Sequence, residues 1–316
     1  MTATLSSVRN KPQIDVTAQY AGIIGERPSR GARSPSLWNA VFEAEGIDCR
    51  FHPFDVDADG LADAVAELKA DRRFVGGSVT APYKSMIIPF IDEVEPLAGK
   101  IGAVNALYRR DGRIVGANTD GEAALTCLHE ALGAATIGDR HVVVIGAGGA
   151  GMAVAAYIAS DLSGNGRLTL LNRNVDQARQ IAEKLGDRVA AADYGLSTQF
   201  ISSADIVVNC TSLGFDDGAD NARPERAMTP LGPTDDLARN LAGAMDLIAA
   251  SKPTALFYDI VYQPRSTVLL NLARAYGRTV MNGLAMNQGQ AVIAFCKTIS
   301  PGPDAARVEQ IMSAVP

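Results

Sequence analysis

Cysteine and histidine are scarce in this sequence, with 4 and 3 of them among 316 residues. The cysteines are scattered and form no Cys-x-x-Cys pair, which is typical of reduced core thiols in a cytosolic protein. The histidines form no ligand-like cluster, so we expect neither a structural nor a catalytic metal. The sequence also lacks a nucleophile elbow and a Ser-His-Asp order, which argues against a serine hydrolase.

Excess positive charge and long apolar runs are missing as well. The net charge is −6, which argues against a surface that binds nucleic acid or an anionic membrane. No apolar run reaches the length of a membrane span, and residues 1–15 lack the apolar segment of a signal peptide. We therefore expect a cytoplasmic protein without nucleic-acid or membrane partners. The hydrophobic and charged fractions, 47% and 20%, are those of a globular protein, and the length favours two domains.

The stretch 141–155 predicts a nucleotide-binding strand–turn–helix unit. The stretch begins with a run of β-branched residues, which is typical of a buried parallel strand. The motif G-x-G-x-x-G follows at Gly146, Gly148 and Gly151, and after it comes an Ala-rich segment suited to a helix. The first glycine allows a tight turn, the second lets the backbone approach a pyrophosphate, and the third lets the helix pack closely on the strand. A glycine-rich loop in an ordinary α/β domain is the alternative, and the strand–turn–helix context favours nucleotide binding.

Strands and helices alternate along the whole chain, which predicts an α/β fold with a mostly parallel sheet in its first half. Asp111-Gly112 between two apolar runs predicts a hairpin turn. The sequence further predicts strands over 20–24, 50–56, 74–79, 168–171, 206–209, 255–260 and 279–281, and helices over 35–45, 61–70, 176–185 and 266–276.

Polar side chains follow several of the predicted strands. Because ligands bind at the carboxyl ends of strands in open parallel sheets, we expect these side chains on the rim of one cleft. A lysine and an aspartate held together there can pass a hydroxyl proton while a nicotinamide takes the hydride. Each of the two residues also has an alternative explanation without a catalytic role. Lys84 would then be a solvated surface lysine, and Asp120 would be a charge that stabilises the N-terminus of a helix. The rim candidates are Lys84, Asn105, Asp120, Thr211, Tyr262 and Gln290.

Seven motifs resemble those of the shikimate dehydrogenase family, in the same order and rough spacing, from about residue 20 to 295. They are Thr80-x-Pro82-x-Lys84, Gly102-Ala103-Val104-Asn105, Asn118-Thr119-Asp120-Gly121, Gly146-Ala147-Gly148-Gly149-Ala150, Asn172-Arg173, Tyr258-Asp259-x-x-Tyr262 and Gly283-Leu284-x-Met286-x-x-x-Gln290.

This resemblance implies NADP-linked reduction of 3-dehydroshikimate to shikimate, a step of aromatic amino acid biosynthesis. It implies an N-terminal α/β substrate-binding domain over 1–120, completed by C-terminal helices over 284–316. A Rossmann NADP-binding domain is implied over 121–283, with the active site in the cleft between the two domains. The expected partner is a cyclic polyhydroxy carboxylate, and the expected assembly is a monomer or a homodimer.

The resemblance also assigns roles to individual residues. Lys84 and Asp120 are the implied catalytic pair. Substrate contacts are implied for Ser34, Thr80, Asn105, Tyr262 and Gln290. Cofactor contacts are implied for Gly146, Ala147, Gly148, Gly149, Ala150, Gly151, Asn172, Arg173, Asn174, Thr211, Ser212 and Gly283.

Two loops depart from the family pattern. Ala32 stands where the substrate-carboxylate loop usually has its first serine, and Ser78 replaces the asparagine of Asn-Val-Thr. Three arginines make the first loop basic, which fits either solvated charge or an acidic substrate unlike shikimate. The alternatives are therefore a quinate/shikimate or related polyhydroxy-acid dehydrogenase, and a non-catalytic ligand-binding protein on the same fold. The arginines are Arg27, Arg30 and Arg33.

The third departure concerns the cofactor. Asn174 and Gln177 stand where the NADP-type motif usually has a threonine and a second basic residue. Asn172 and Arg173 nevertheless replace the acidic residue that an NAD site commonly places on the ribose 2′-hydroxyl. NADP is the expected cofactor, with NAD as the alternative.

Overall fold

Two six-stranded sheets organise the chain, one in each of two units. The computed structural model describes residues 2–3, 5–216 and 224–315. The first unit comprises Met1–Thr119 and Gln288–Pro316, and the second comprises Asp120–Asn287. This arrangement is the predicted α/β fold, with a mixed sheet in the first unit and a parallel sheet in the second.

The first unit begins with strands β1 (Thr2–Ala3), β2 (Ile14–Asp15), β3 (Gln19–Gly25), β4 (Cys49–Asp55), β5 (Phe74–Val79), β6 (Glu93–Val94), β7 (Ala106–Arg110) and β8 (Arg113–Ala117). Its helices in this part of the chain are α1 (Ser34–Glu45), α2 (Leu61–Ala70), α3 (Tyr83–Met86) and α4 (Pro96–Ile101). The second segment of the unit contains most of α11 and all of α12, whose bounds are given below.

The sheet of the first unit has the strand order β4-β3-β5-β7-β8-β6. Three of its five pairings are parallel, and the two that involve β7 are antiparallel. The predicted hairpin is confirmed, because β7 and β8 pair across Asp111 and Gly112, whose φ angles are 52° and 78°. This hairpin makes the sheet mixed, and its majority of parallel pairings agrees with the predicted mostly parallel sheet.

Aromatic side chains fill one side of this sheet. Trp38 of α1 is fully buried, and its ring lies 4.7 Å from that of Phe51 and 5.0 Å from that of Phe295. Phe42 packs on the same Phe295 ring at 5.4 Å. The C-terminal helices therefore complete a core that begins at the N-terminal part of the chain.

The second unit contains strands β9 (His141–Ile145), β10 (Arg167–Asn172), β11 (Val189–Asp193), β12 (Ile206–Asn209), β13 (Leu256–Asp259) and β14 (Thr279–Asn282). Its helices are α5 (Thr119–Leu132), α6 (Gly149–Asp161), α7 (Val175–Leu185), α8 (Ser197–Ile201), α9 (Leu237–Ala250) and α10 (Val268–Ala275). The chain then continues with α11 (Leu284–Thr298) and α12 (Ala305–Ser313).

All neighbouring strands in this second sheet are parallel, in the order β11-β10-β9-β12-β13-β14. Renumbered from β9, this is the doubly wound order 3-2-1-4-5-6 of dinucleotide-binding domains. The order reverses between β9 and β12, and ligands bind beyond the carboxyl ends of the strands at such a switch point. The fold thus directs attention to the loops that follow β9 and β12.

Candidate active site

Lys84 lies in α3, which follows β5 in the first unit. The neighbouring Tyr83 is fully buried and donates its hydroxyl hydrogen to the Val56 carbonyl at 2.7 Å. The Lys84 carbonyl accepts a hydrogen bond from the Val104 N–H, also at 2.7 Å. These two bonds fix α3 and bring the segment that ends in Asn105 beside Lys84.

Asn105 is the centre of a buried polar network in the same unit. Its Oδ1 accepts the Thr119 N–H at 2.7 Å, and its Nδ2 donates to Thr119 Oγ1 at 3.0 Å. The same amide donates to Gln290 Oε1 at 3.5 Å. Asn118 donates to the Ala103 carbonyl at 3.1 Å. The structure therefore brings together Asn105 and Gln290, two predicted substrate contacts, and adds Thr119 to them.

The other residues predicted for this unit occupy the ends of its elements. Ser34 is the first residue of α1 and is half-buried. Thr80 follows β5, and a Cβ on Gly25 would overlap its methyl group, so the glycine allows the two segments to approach closely. Asp120, which was predicted to close this domain, is the first residue of the second unit and lies in the first turn of α5, where a carboxylate interacts favourably with the helix dipole.

The glycine loop after β9 has the geometry that the sequence predicts. Gly146 has a φ of 100°, and its N–H donates to the Leu171 carbonyl at 2.8 Å. A Cβ on Gly151 would overlap the Gly146 carbonyl oxygen, so α6 packs directly on the loop. Gly148 and Gly149 are exposed, and a Cβ on either would meet no atom within 4 Å. The open side of the loop and the N-terminus of α6 therefore fit a dinucleotide pyrophosphate.

Two amide side chains hold this loop against the end of β10. Asn172 accepts the Ala147 N–H at 3.3 Å, and Gln177 donates to the Ala147 carbonyl at 3.2 Å. The two amides bond each other at 3.3 Å, and Asn174 caps α7 by accepting the Gln177 N–H at 3.1 Å. Arg173 is exposed beside them. Gln177, which departs from the family pattern, thus contributes to the shape of the loop.

A second buried network lies at the ends of β12 and β13. Asn209 and Asp259 are both 0% exposed, and the Asn209 amide donates to Asp259 Oδ1 at 2.9 Å. Asn209 Oδ1 accepts both the N–H and the hydroxyl of Thr211, at 2.9 and 2.8 Å. Thr267 donates its hydroxyl hydrogen to Asp259 Oδ2 at 2.6 Å. Burial raises the pKa of Asp259 to about 6 although its hydrogen bonds act in the opposite direction.

The remaining predicted residues of the second unit lie at the same sheet edge. Ser212 is exposed directly after Thr211, and Tyr262 is exposed after β13. Gly283 follows β14, and a Cβ there would overlap the Ile260 carbonyl oxygen. The loops after β13 and β14 therefore pack closely enough that only glycine fits at position 283.

Sequence reasoning assigned no role to several residues that shape these networks. Asp259 belongs to the Tyr258-Asp259-x-x-Tyr262 motif, and a charged residue at the end of a buried strand is the signal that marks it. Asn209 is an uncharged polar residue at the end of the preceding strand, which is a weaker signal. No group of three potential metal ligands occurs among residues 2–3, 5–216 and 224–315. The residues missed are Thr119, Gln177, Asn209, Asp259 and Thr267.

The parallel sheet, its strand order and the glycine loop at its switch point define a two-unit α/β protein of the dinucleotide-binding class. Residues 23–107 match the model of the shikimate dehydrogenase substrate binding domain, and residues 128–214 match that of shikimate / quinate 5-dehydrogenase. The chain belongs to the shikimate dehydrogenase family.

Individual relatives agree with this membership. The shikimate dehydrogenase (NADP(+)) of Citrifermentans bemidjiense is 39% identical over 284 residues, which cover 88% of each chain. Shikimate 5-dehydrogenase from Listeria monocytogenes, solved with shikimate and NAD, is 26% identical with a TM-score of 0.79, covering 96% of this chain and 99% of that one. Quinate dehydrogenase from Corynebacterium glutamicum, solved with NAD, is 28% identical with a TM-score of 0.74, covering 94% and 99%.

Proposed function

We propose that this protein interconverts 3-dehydroshikimate and shikimate with NADP, as a shikimate dehydrogenase. The observation that carries the proposal is the buried network of Asn105, Thr119 and Gln290. It holds two predicted substrate contacts together, lies beside the Lys84 main chain, and ends at the residue that precedes Asp120. The activity named for the Citrifermentans bemidjiense relative supports the same reaction.

Lys84 and Asp120 act as one proton-transfer pair in this proposal. Oxidation of an alcohol sends a hydride and a proton to different acceptors, and NADP supplies the hydride acceptor when it is bound. The pair takes the proton of the reacting hydroxyl group, and returns it to the ketone oxygen in the reverse direction. The presence of both residues favours an enzyme over a non-catalytic ligand-binding protein, which needs no proton transfer.

The remaining substrate contacts follow from the chemistry of a cyclic polyhydroxy carboxylate. Such a ligand presents hydroxyl groups and one carboxylate, which hydroxyl and amide side chains recognise by hydrogen bonds. We assign substrate binding to residues 1–120 with 284–316. The side chains that we expect to contact it are Ser34, Thr80, Asn105, Tyr262 and Gln290.

The cofactor contacts lie in residues 121–283 in this proposal. The N–H groups of Gly148, Gly149 and Ala150 face the pyrophosphate, since the exposed glycines leave space there, and Gly146, Ala147 and Gly151 shape the loop around it. Arg173 pairs with the 2′-phosphate, and Asn172 and Asn174 flank it. Thr211, Ser212 and Gly283 lie near the nicotinamide.

An absorbance assay of NADP reduction tests the proposal, with shikimate and quinate as substrates and NADP and NAD as cofactors. We expect the highest kcat/KM for shikimate with NADP. No turnover of shikimate with either cofactor, under conditions in which NADPH binds, would contradict the function.

Quinate or a related polyhydroxy acid is the second candidate substrate. Ala32 replaces a serine of the usual carboxylate loop, and the structure resembles quinate dehydrogenase from Corynebacterium glutamicum. In the same assay, a higher kcat/KM for quinate than for shikimate would establish this alternative.

Location and assembly are further parts of the proposal. No helix in the described part of the chain is long and apolar enough to cross a membrane. The four cysteines are free thiols, which supports a reducing, cytoplasmic location. We propose a monomer or a homodimer, and light scattering on the purified protein distinguishes the two.

A further inference from the structure

We propose that Asp259 is a positioning residue that fixes the nicotinamide end of the cofactor site by tying together the loops after β12, β13 and β14. The name of the ligand rests on the proposed function, whereas the loop arrangement is a property of the chain alone.

The Asp259 carboxylate is surrounded by three neutral donors. Its Oδ1 accepts the Asn209 amide at 2.9 Å and the Val261 N–H at 3.1 Å, and its Oδ2 accepts the Thr267 hydroxyl at 2.6 Å. These donors come from the end of β12, from the loop after β13 and from the residue that caps α10. One side chain thus connects three separate points at the carboxyl edge of the sheet.

Asn209 transmits this connection to the predicted cofactor loop. Since its amide nitrogen donates to Asp259, its oxygen is directed to Thr211, where it accepts two hydrogen bonds. Thr211 Oγ1 in turn accepts the Leu213 N–H at 3.2 Å. The Asn209 amide nitrogen also donates to the Leu213 carbonyl at 3.4 Å, so position 259 supplies the shorter of two acceptors that orient this amide and, with it, the loop.

Val261 transmits the connection to the loop after β14. Its N–H is held by Asp259, and its carbonyl accepts the Gly283 N–H at 3.3 Å. Gly283 is packed against Ile260 so closely that a Cβ would overlap the Ile260 carbonyl oxygen. Thr211, Gly283 and the segment leading to Tyr262 are therefore held in one arrangement through Asp259.

A positioning role explains why a carboxylate is kept in this environment. Asp259 is 0% exposed and forms no ion pair among the described residues, so its charge is stabilised by neutral donors alone. The titratable side chains with which it interacts are Cys210 and Tyr258, and both are buried and neutral. Burying a charge without a counterion is costly, and proteins tolerate such features mainly at functional sites.

Amide hydrogen exchange on the ligand-free protein tests this role, together with NADPH binding measured by fluorescence. In Asp259→Ala we expect exchange at Thr211 and Val261 to accelerate, and the Kd for NADPH to rise about tenfold or more. Asp259→Asn should restore both, because its oxygen still accepts from Asn209 and Val261 while its NH₂ faces the Thr267 hydroxyl. If Asp259→Ala does not fold, Thr267→Val removes one hydrogen-bond donor to Asp259 instead. We expect it to accelerate the same amide exchange and raise the same Kd, by smaller factors.

Asp205→Ala is the matched control. Asp205 lies at the opposite, amino-terminal edge of the same sheet, where it accepts the His141 N–H at 2.8 Å and pairs with Lys252 at 2.6 Å. Its loss should leave exchange at Thr211 and the Kd for NADPH unchanged. The role would be overturned if amide exchange at Thr211 and Val261 in both Asp259→Ala and Thr267→Val is as slow as in the parent protein. Equal acceleration of exchange in Asp205→Ala would also overturn it.

These measurements separate the two proposals. If the parent protein does not oxidise shikimate but Asp259→Ala loosens the loops as expected, the proposed function fails and the positioning role stands. If the parent protein oxidises shikimate with NADP but loop exchange is insensitive to Asp259, the positioning role fails and the function stands.

Discussion

Replacing Gly151 by alanine should destabilise the ligand-free chain, although alanine normally favours a helix. A Cβ there would overlap the Gly146 carbonyl oxygen, lie 2.9 Å from the carbonyl carbon and lie 3.2 Å from Cys210 Cβ. Since main-chain atoms cannot rotate away, α6 has to move off β9. Overpacking costs about 1–3 kcal/mol, and an overlap with main-chain atoms belongs to the upper part of this range, about 2–3 kcal/mol, against a gain of up to about 1 kcal/mol from helix propensity. We expect a net loss of about 1–2 kcal/mol, or roughly 2–8 °C in Tm.

Gly148→Ala is the matched control in the same loop. Gly148 is exposed with a φ of −74°, and a Cβ there would meet no atom within 4 Å. Its ligand-free stability should therefore stay within about 1 kcal/mol of the parent. NADPH affinity should fall about tenfold or more, because the methyl group occupies the approach of the pyrophosphate. Calorimetry and NADPH fluorescence measure the two effects. A Gly151→Ala protein as stable as the parent would refute the packing argument, and parental NADPH affinity in Gly148→Ala would refute the pyrophosphate assignment.

Four further predictions concern the reaction, the two ligands and pH. Lys84→Ala and Asp120→Asn should each lower kcat by about 10²–10⁴-fold with little change in NADPH affinity. The kcat of the double variant should be little lower than that of either single variant, and additive losses in steady-state kinetics would contradict a joint role. Arg173→Ala should raise the KM for NADP about tenfold or more and leave that for NAD nearly unchanged, and equal effects on both would exclude a 2′-phosphate contact. Ala32→Ser should lower the shikimate KM, whereas an unchanged or higher value would show that the loop holds substrate in another way. Because burial raises the pKa of Asp259 from 3.8 to about 6, the folded chain binds a proton there that the unfolded chain lacks. Its contribution to stability therefore falls by up to about 3 kcal/mol as pH rises through this window. Because Asp259→Asn lacks this falling contribution, its free energy of unfolding in urea should increase relative to that of the parent as pH rises from about 4 to 6, and a difference independent of pH would contradict the raised pKa.

Local patterns were sufficient to predict the elements whose form depends on nearby residues. The strand–turn–helix unit at 141–155 is encoded by three glycines and their flanks, and all of it is present in the structure. The hairpin at Asp111-Gly112 forms because both residues adopt positive φ. The edge strand Val189–Asp193 was missed, since its mixture of exposed and buried small residues carries little strand signal.

Side-chain networks that depend on strand order could not be predicted in the same way. Asn105 meets Gln290 across 185 residues, and Asn209 meets Asp259 across 50. Each pair forms because the topology makes distant segments neighbours, which no local spacing reveals. Their positions after predicted strands marked Asn105 and Gln290 as site candidates, and the family resemblance implied substrate contacts for them, but neither indicated that Asp259 holds its neighbours in place. The predicted cleft and the individual site roles stay predictions.

The aromatic core around Trp38 has a consequence for the order in which the chain can fold during synthesis. Trp38 and Phe42 are translated before the second unit begins, whereas the Phe295 ring that covers both is translated only after that unit. The sheet that β3 and β4 begin therefore keeps an apolar face uncovered while the whole of Asp120–Asn287 is translated. The second unit, continuous in sequence, can complete its sheet first, and the first unit is finished only when the C-terminal helices arrive.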